Sequence, residues 1–249
     1  MRHFLLGLVF LISAIGMAQQ QPYFERGKQH YADQSYQQAI DSWMQIIHEN
    51  EHSAALYFNL GNAHYKLNNI GLSIYYYEKA LQLAPNDEDI LNNLAFAENA
   101  KIDAVEPLPE TIFSKWYARV SGVLSYEGWA VFAIVCSSLF TFLFLWYYFA
   151  RGERRKRLLF VGALVAVLCF LVALTLAFST YDDAMRYRPA IVVSEEVEVK
   201  SEPNMGSDSS FLLHEGTKVQ ILVEDGNWVR IEIADGKDGW IPLSELKPL

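Results

Sequence analysis

The 249-residue chain reads as a multidomain membrane protein: an all-α repeat solenoid, a transmembrane helical hairpin and a small all-β barrel. Three observations carry that reading. Segment 20–101 matches itself at a shift of 34 residues. Two runs, 128–150 and 158–181, hold no charged side chain. From Ala190 onward, short β-branched runs alternate with Asp-Gly turns. Apolar residues at 52 % and aromatics at 14 % exclude a wholly disordered chain. A net charge of −9 argues against nucleic acid as a partner, because phosphate contacts need a basic surface. The mean hydropathy of +0.08 averages over two apolar runs set between acidic polar segments.

Met1-Arg2-His3 is a basic start, Phe4 to Ile15 is apolar and short, and Gly16-Met17-Ala18 is small. Segment 1–18 is therefore expected to be a secretory signal peptide, cut after about Ala18 or retained as an anchor. Either way the following segment is exported. The two cysteines, Cys136 and Cys169, fall one in each apolar run. No disulfide is expected outside the membrane, and these thiols are expected to pack as small apolar groups.

The 34-residue period places Tyr23 on Tyr57, Gly27 on Gly61, Tyr31 on Tyr65 and Trp43 on Tyr77. Each unit holds two helix-period runs, giving repeats at 20–53 and 54–87 and a capping helix at 88–101. Gly27 and Gly61 allow close helix approach, and the bulky aromatics fill the space between. The period, with Leu60-Gly61-Asn62-Ala63, Tyr77-Glu78-Lys79-Ala80-Leu81 and Pro85, resembles the tetratricopeptide repeat. That resemblance implies a helix–turn–helix solenoid binding protein segments on the face lined by the first helix of each pair. The corresponding positions are Phe24, Lys28, Tyr31, Phe58, Asn62, Tyr65, Lys66 and Phe96. The competing reading is that these aromatics pack within the stack. Phe24, Lys28, Asp89 and Asn93 stand where the family's carboxylate clamp wants Lys, Asn, Lys and Arg, so that clamp is not expected.

After Pro107 and Pro109, Ile112, Phe113, Trp116, Tyr117, Val120 and Leu124 recur at helical intervals. An interfacial amphipathic helix is expected over 111–125, with packing on the repeats as the alternative. The runs 128–150 and 158–181 are each long enough to cross a bilayer. Between them, 151–157 carries five bases and one acid, which assigns this turn to the cytoplasm and both flanking segments to the far side.

The last segment, 188–249, holds strand-like runs at 191–193, 197–199, 219–223 and 228–233, with 207–210 read as a polar loop. Glu215-Gly216-Thr217-Lys218-Val219, Asn227-Trp228-Val229-Arg230-Ile231 and Gly239-Trp240-Ile241 resemble the bacterial SH3 domain. The resemblance implies a small barrel that binds cell-wall peptides or proteins. Trp228 and Trp240 would line its site, unless Trp240 is core and only Trp228 is partly exposed. This module carries 7 bases against 14 acids from Tyr181 on, which disfavours polyanionic ligands.

No phosphate-binding loop, dinucleotide fingerprint, zinc-protease helix or serine nucleophile elbow occurs. His48 and His52 are four apart but lack a third ligand. The expectation is a non-enzyme with no cofactor and no metal. The order of segments resembles the BatE-type proteins of the Bacteroides aerotolerance operon. That resemblance implies an inner-membrane scaffold of a Gram-negative bacterium, with two spans and both terminal modules periplasmic. Its implied partners are envelope proteins, including von Willebrand factor A membrane proteins of the same operon. The alternative is a cell-wall sensor that binds peptidoglycan through the SH3-like module.

Overall fold

The computed structural model describes residues 22–249, and the expected signal segment 1–18 lies outside the described residues. Five helices come first: α1 (22–32), α2 (Tyr36–His48), α3 (Ala54–Lys66), α4 (Ile70–Leu83) and α5 (Glu88–Asn99). The turn inside each helix pair uses one left-handed residue, Gln34 at φ 59° and Asn68 at φ 62°, again 34 positions apart. Ser53 caps α3 by accepting from Leu56 N at 3.2 Å, and Asp87 caps α5 by accepting from Asp89 N and Ile90 N. Close approach within each pair depends on glycine. A Cβ on Gly27 would stand 2.2 Å from Trp43 Nε1, and one on Gly61 2.6 Å from the Tyr77 ring. Trp43 and Tyr77 are thereby sealed in the core, with Leu56, Leu60 and Ile74 around them.

Residues 108–187 form a separate compact unit. In it α6 (Ile112–Ser121) is capped by Thr111, which accepts from Ser114 N. Tyr117 donates to Asp183 at 2.7 Å, and Trp129 Nε1 donates to the Ser121 carbonyl at 3.0 Å. Ile112 and Phe113 stay more than four-fifths exposed, whereas Tyr117 and Val120, further along the same apolar face, are half-buried. Helices α7 (Tyr126–Phe149) and α8 (Glu153–Arg186) pack along each other and are long and apolar enough to cross a membrane. Small residues line their contact: Ala133 and Cys136 on α7, with Ala163, Ala166 and Ala173 on α8. The basic segment 151–157 is not a loop. The turn is confined to Ala150, Arg151 and Gly152 (φ 102°), and the bases from Arg154 to Arg157 form the first turns of α8.

Seven antiparallel strands follow: β1 (Pro189–Val192), β2 (Glu196–Lys200), β3 (Ser209–His214), β4 (Lys218–Asp225), β5 (Trp228–Glu232), β6 (Asp238–Pro242) and β7 (Leu246–Pro248). Their order is β3-β2-β6-β5-β4-β1-β7. Residues from every strand, including the two edges, meet in one core with Val199, Val229, Ile231 and Ile241 at its centre, so the sheet curls round itself. Strand β3 begins at Ser209, inside the expected polar loop, because Ser209 pairs with Lys200 across a bulge.

The repeats up to Pro107 and the sheet from Arg188 belong to one compact unit. On β1, Ala190 and Val192 face the sheet core, while Ile191 between them is buried in the core of the repeats. Residues 214–218 each meet the helical segment. His214 N and Nδ1 and the Thr217 hydroxyl all lie 2.7 Å from the Asp103 carboxylate. Glu215 Oε2 accepts from Gly71 N at 2.8 Å, and Lys218 pairs with Glu78 at 2.8 Å. Gly216, at φ 87°, lies so close to Ile74 that a Cβ would be 2.8 Å from its Cδ1.

Candidate functional site

The helical repeat brings five of the eight expected face residues to one groove. Tyr31, Asn62, Tyr65, Lys66 and Phe96 line it, joined by Tyr77 and Asn93. At its base Asn62 Oδ1 accepts from the Tyr77 hydroxyl at 2.6 Å and from Asn93 Nδ2 at 2.8 Å. With that oxygen doubly engaged, the Asn62 Nδ2 group and Asn93 Oδ1 offer a donor and an acceptor, the pair that an extended backbone requires. Burial pushes the Tyr77 hydroxyl up to about 12 and also raises that of Tyr31, so both remain protonated donors at neutral pH. Phe96 is 65 % exposed and Tyr65 37 %, so two aromatic faces stand open beside the amide pair. Lys66 supplies the one charged group of the lining.

The other three residues sit elsewhere. Phe24 and Phe58 pack against the repeat core, and the Phe24 carbonyl accepts from Trp43 Nε1 at 3.2 Å. Lys28 is exposed and pairs with Glu25 at 3.1 Å. The sequence pointed to Tyr77 only as a space filler and to Asn93 only as a mismatch to the carboxylate clamp. The signal that points to both is the hydroxyl and the amide reaching the same atom of Asn62. His52, one of the two histidines spaced for a metal, has Nδ1 2.7 Å from the Tyr57 hydroxyl.

On the sheet, alternation sends Val229 and Ile231 inward and leaves Trp228 and Arg230 on the outer face of β5. Register places Trp228 opposite Pro242, Arg230 opposite Trp240, and Trp240 opposite Lys200. Trp228 and Trp240 are thus both half-buried on one face, with Arg230 near them and paired to Asp238. This face lies on strands other than β1, whose Ile191 enters the repeats.

Comparisons with known proteins match these two modules. Residues 54–87 match the tetratricopeptide repeat, and residues 195–247 match the bacterial SH3 domain. A putative N-acetylmuramoyl-L-alanine amidase, YrvJ of Bacillus subtilis (strain 168), is 31 % identical over 78 residues. That stretch is 31 % of this chain and 15 % of the relative, and it covers the SH3 part alone. The crystal structure of an NlpC/P60 family protein from Bacillus cereus ATCC 10987 overlaps 28 % of this chain and 23 % of that one. Its identity is 15 % and its TM-score 0.22. The chain joins a tetratricopeptide repeat and a bacterial SH3 domain, both binding modules, to two helices able to cross a membrane.

Proposed function

We propose that this chain is a non-enzymatic scaffold of a bacterial inner membrane that holds an extended segment of an envelope protein in the repeat groove. The observation that carries the reading is the Asn62–Tyr77–Asn93 network set between the exposed rings of Tyr65 and Phe96. A fixed amide pair reads backbone, and flanking aromatics add apolar contact at low entropy cost. The shared unit of repeats and sheet supports placing both on one side of the membrane, and the bases at the start of α8 support the cytoplasm for that end and the periplasm for the two modules. The resemblance to BatE-type proteins makes von Willebrand factor A membrane proteins of the same operon, in an envelope-stress or aerotolerance complex, the first partners to seek. The test is in-cell crosslinking, mild detergent extraction and identification of what accompanies the chain. The Tyr31→Ala/Tyr65→Ala variant, still folded by circular dichroism, loses those partners; full recovery of every partner by that variant overturns the assignment of the groove.

A second reading is a peptidoglycan-binding sensor acting through the sheet. The observation favouring it is the placing of half-buried Trp228 and Trp240 on one face, on the module that resembles part of an amidase. Co-sedimentation of the full chain with purified peptidoglycan, lost in Trp228→Ala/Trp240→Ala and kept in Tyr31→Ala/Tyr65→Ala, would favour this reading over the scaffold.

A further inference from the structure

A second concavity lies where the second helices α2 and α4 meet the last strand of the sheet. Its volume is about 470 Å³. Ligand sites commonly span roughly 300–1,000 Å³. Its floor is aromatic: Tyr57 stacks on Tyr76 with centroids 6.1 Å apart, and Tyr75 meets Tyr76 edge-on at 5.1 Å. The Tyr57 phenol turns toward His52 and that of Tyr76 toward Met44 Sδ, and both rings are buried, so the apolar surface open to the pocket comes from Tyr75 with Met44 and Ile47. Leu83, 53 % exposed, forms an apolar rim.

Charge in this pocket is one-sided. Lys79 comes from α4 and Lys247 from β7, and no lining residue is acidic. Among the described residues neither lysine has a carboxylate partner, although the chain holds 29 acids against 20 lysines and arginines. Lys247 instead lies 5.5 Å from the centroid of Tyr75. Its charge is felt locally: the buried His64, stacked under Tyr76, has its pKa lowered to about 4, by burial first and by Lys247 second. Two half-buried lysines beside an apolar floor are complementary to a carboxylate carried on an apolar body. The polar groups of Gln82 and His52 along the same lining suit a peptide backbone better than a plain hydrocarbon chain.

We propose that this junction pocket binds the C-terminal residue of a peptide, its apolar side chain on the tyrosine floor and its carboxylate at Lys79 and Lys247. The site exists only where repeats and sheet meet, because Lys247 comes from the sheet and the floor from the repeats. It is separate from the Asn62 groove and does not depend on it.

The test titrates the full chain in detergent with acetyl-Ala-Ala-Phe bearing a free carboxylate, and with the same peptide amidated, by ligand-observed NMR. The free acid is expected to bind at least about tenfold tighter than the amide, the difference a charge-assisted contact makes. Lys79→Gln and Lys247→Gln each reduce that preference, Lys247→Arg retains it, and Tyr65→Ala leaves it unchanged. Equal affinity for acid and amide, or an acid preference untouched by both glutamine variants, overturns the proposal, as does absence of binding up to millimolar peptide. Dodecanoate binding tightly and displacing the peptide would overturn the peptide as occupant and assign the pocket to a fatty acid.

Discussion

His64 ties the chemistry of one buried ring to stability. Its imidazole is 7 % exposed, stacks on Tyr76 at 5.3 Å, and is held neutral because burial and Lys247 both oppose its protonation. In the unfolded chain the same ring takes up a proton near its ordinary value of 6.5. Between pH 6.5 and about 4 the unfolded form therefore binds more protons, and stability falls as the pH drops. The gap is worth about 3 kcal/mol at 1.36 kcal/mol per tenfold in proton affinity. His64→Phe, which keeps a ring against Tyr76, is expected to flatten the urea midpoint across that window; an unchanged slope would mean that other groups cause the acid sensitivity. Asp103 acts lower on the pH scale. Burial works against its charge, but hydrogen bonds from His214 N, Thr217 and the His214 ring hold its carboxyl below the usual range, so its contribution is lost only at more acid pH. Gln34 offers a gain instead. It sits at φ 59°, which costs an L-residue about 1 kcal/mol, and Gln34→Gly is expected to raise the thermal midpoint by relieving that cost. The Gly27–Trp43 and Gly61–Tyr77 contacts were legible because a repeat shows each interaction twice. The Asn62–Asn93 contact was not, because 34 residues earlier the same two positions hold Lys28 and Asn59, so the period shows the amide pair only once.

Helix α4 shows why the docking of the sheet escapes a reading of sequence alone. Its N-cap, Asn69, makes no side-chain bond to the helix, and its first turn holds no acid. The missing acceptor arrives from Glu215, 144 residues away, onto Gly71 N. One carboxylate on one amide leaves no periodic trace, and Glu215-Gly216-Thr217 reads equally well as an ordinary turn before a strand. Glu215→Ala is expected to cost about 1 kcal/mol, the usual worth of a helix cap, measured by urea denaturation of the full chain. Gly216→Ala is expected to cost more, since its φ of 87° disfavours a side chain and the new Cβ would meet Ile74. A cost for Gly216→Ala no greater than that of a surface substitution would show that the sheet does not press on α4. The start of α8 went unread for a different physical reason. Arg154 to Arg157 are strong helix formers, and a long apolar helix extends through them once Gly152 has reversed the chain. Charge composition marks which side of a membrane such a segment faces, but says little about whether it is helix or loop.

Two modules that share a core cannot stand on opposite sides of a bilayer. Ile191 of β1 is fully buried among residues of α2 to α5, and Asp103, just before α6, is bonded to His214 and Thr217. The intervening chain from 108 to 187 must therefore leave and return on one side, which requires an even number of crossings. Helices α7 and α8 meet that requirement as a pair, each long enough to span and joined by a three-residue turn. This constraint is independent of the positive charge at the start of α8 and says only that both ends of the pair lie on one side. Single cysteines placed in a Cys136→Ala/Cys169→Ala background test it, at exposed Gln45 on α2, exposed Leu222 on β4 and exposed Arg155 on α8. A membrane-impermeant maleimide added to spheroplasts is expected to label positions 45 and 222 alike, and position 155 only after lysis. Labelling of 45 without 222 before lysis, with both reacting afterwards, would separate the repeats from the sheet and remove the basis of the junction pocket. Equal labelling of all three before lysis would leave that unit intact and overturn the crossing instead, because a pair of helices that starts and ends outside without passing through the bilayer would leave Arg155 exposed with the rest.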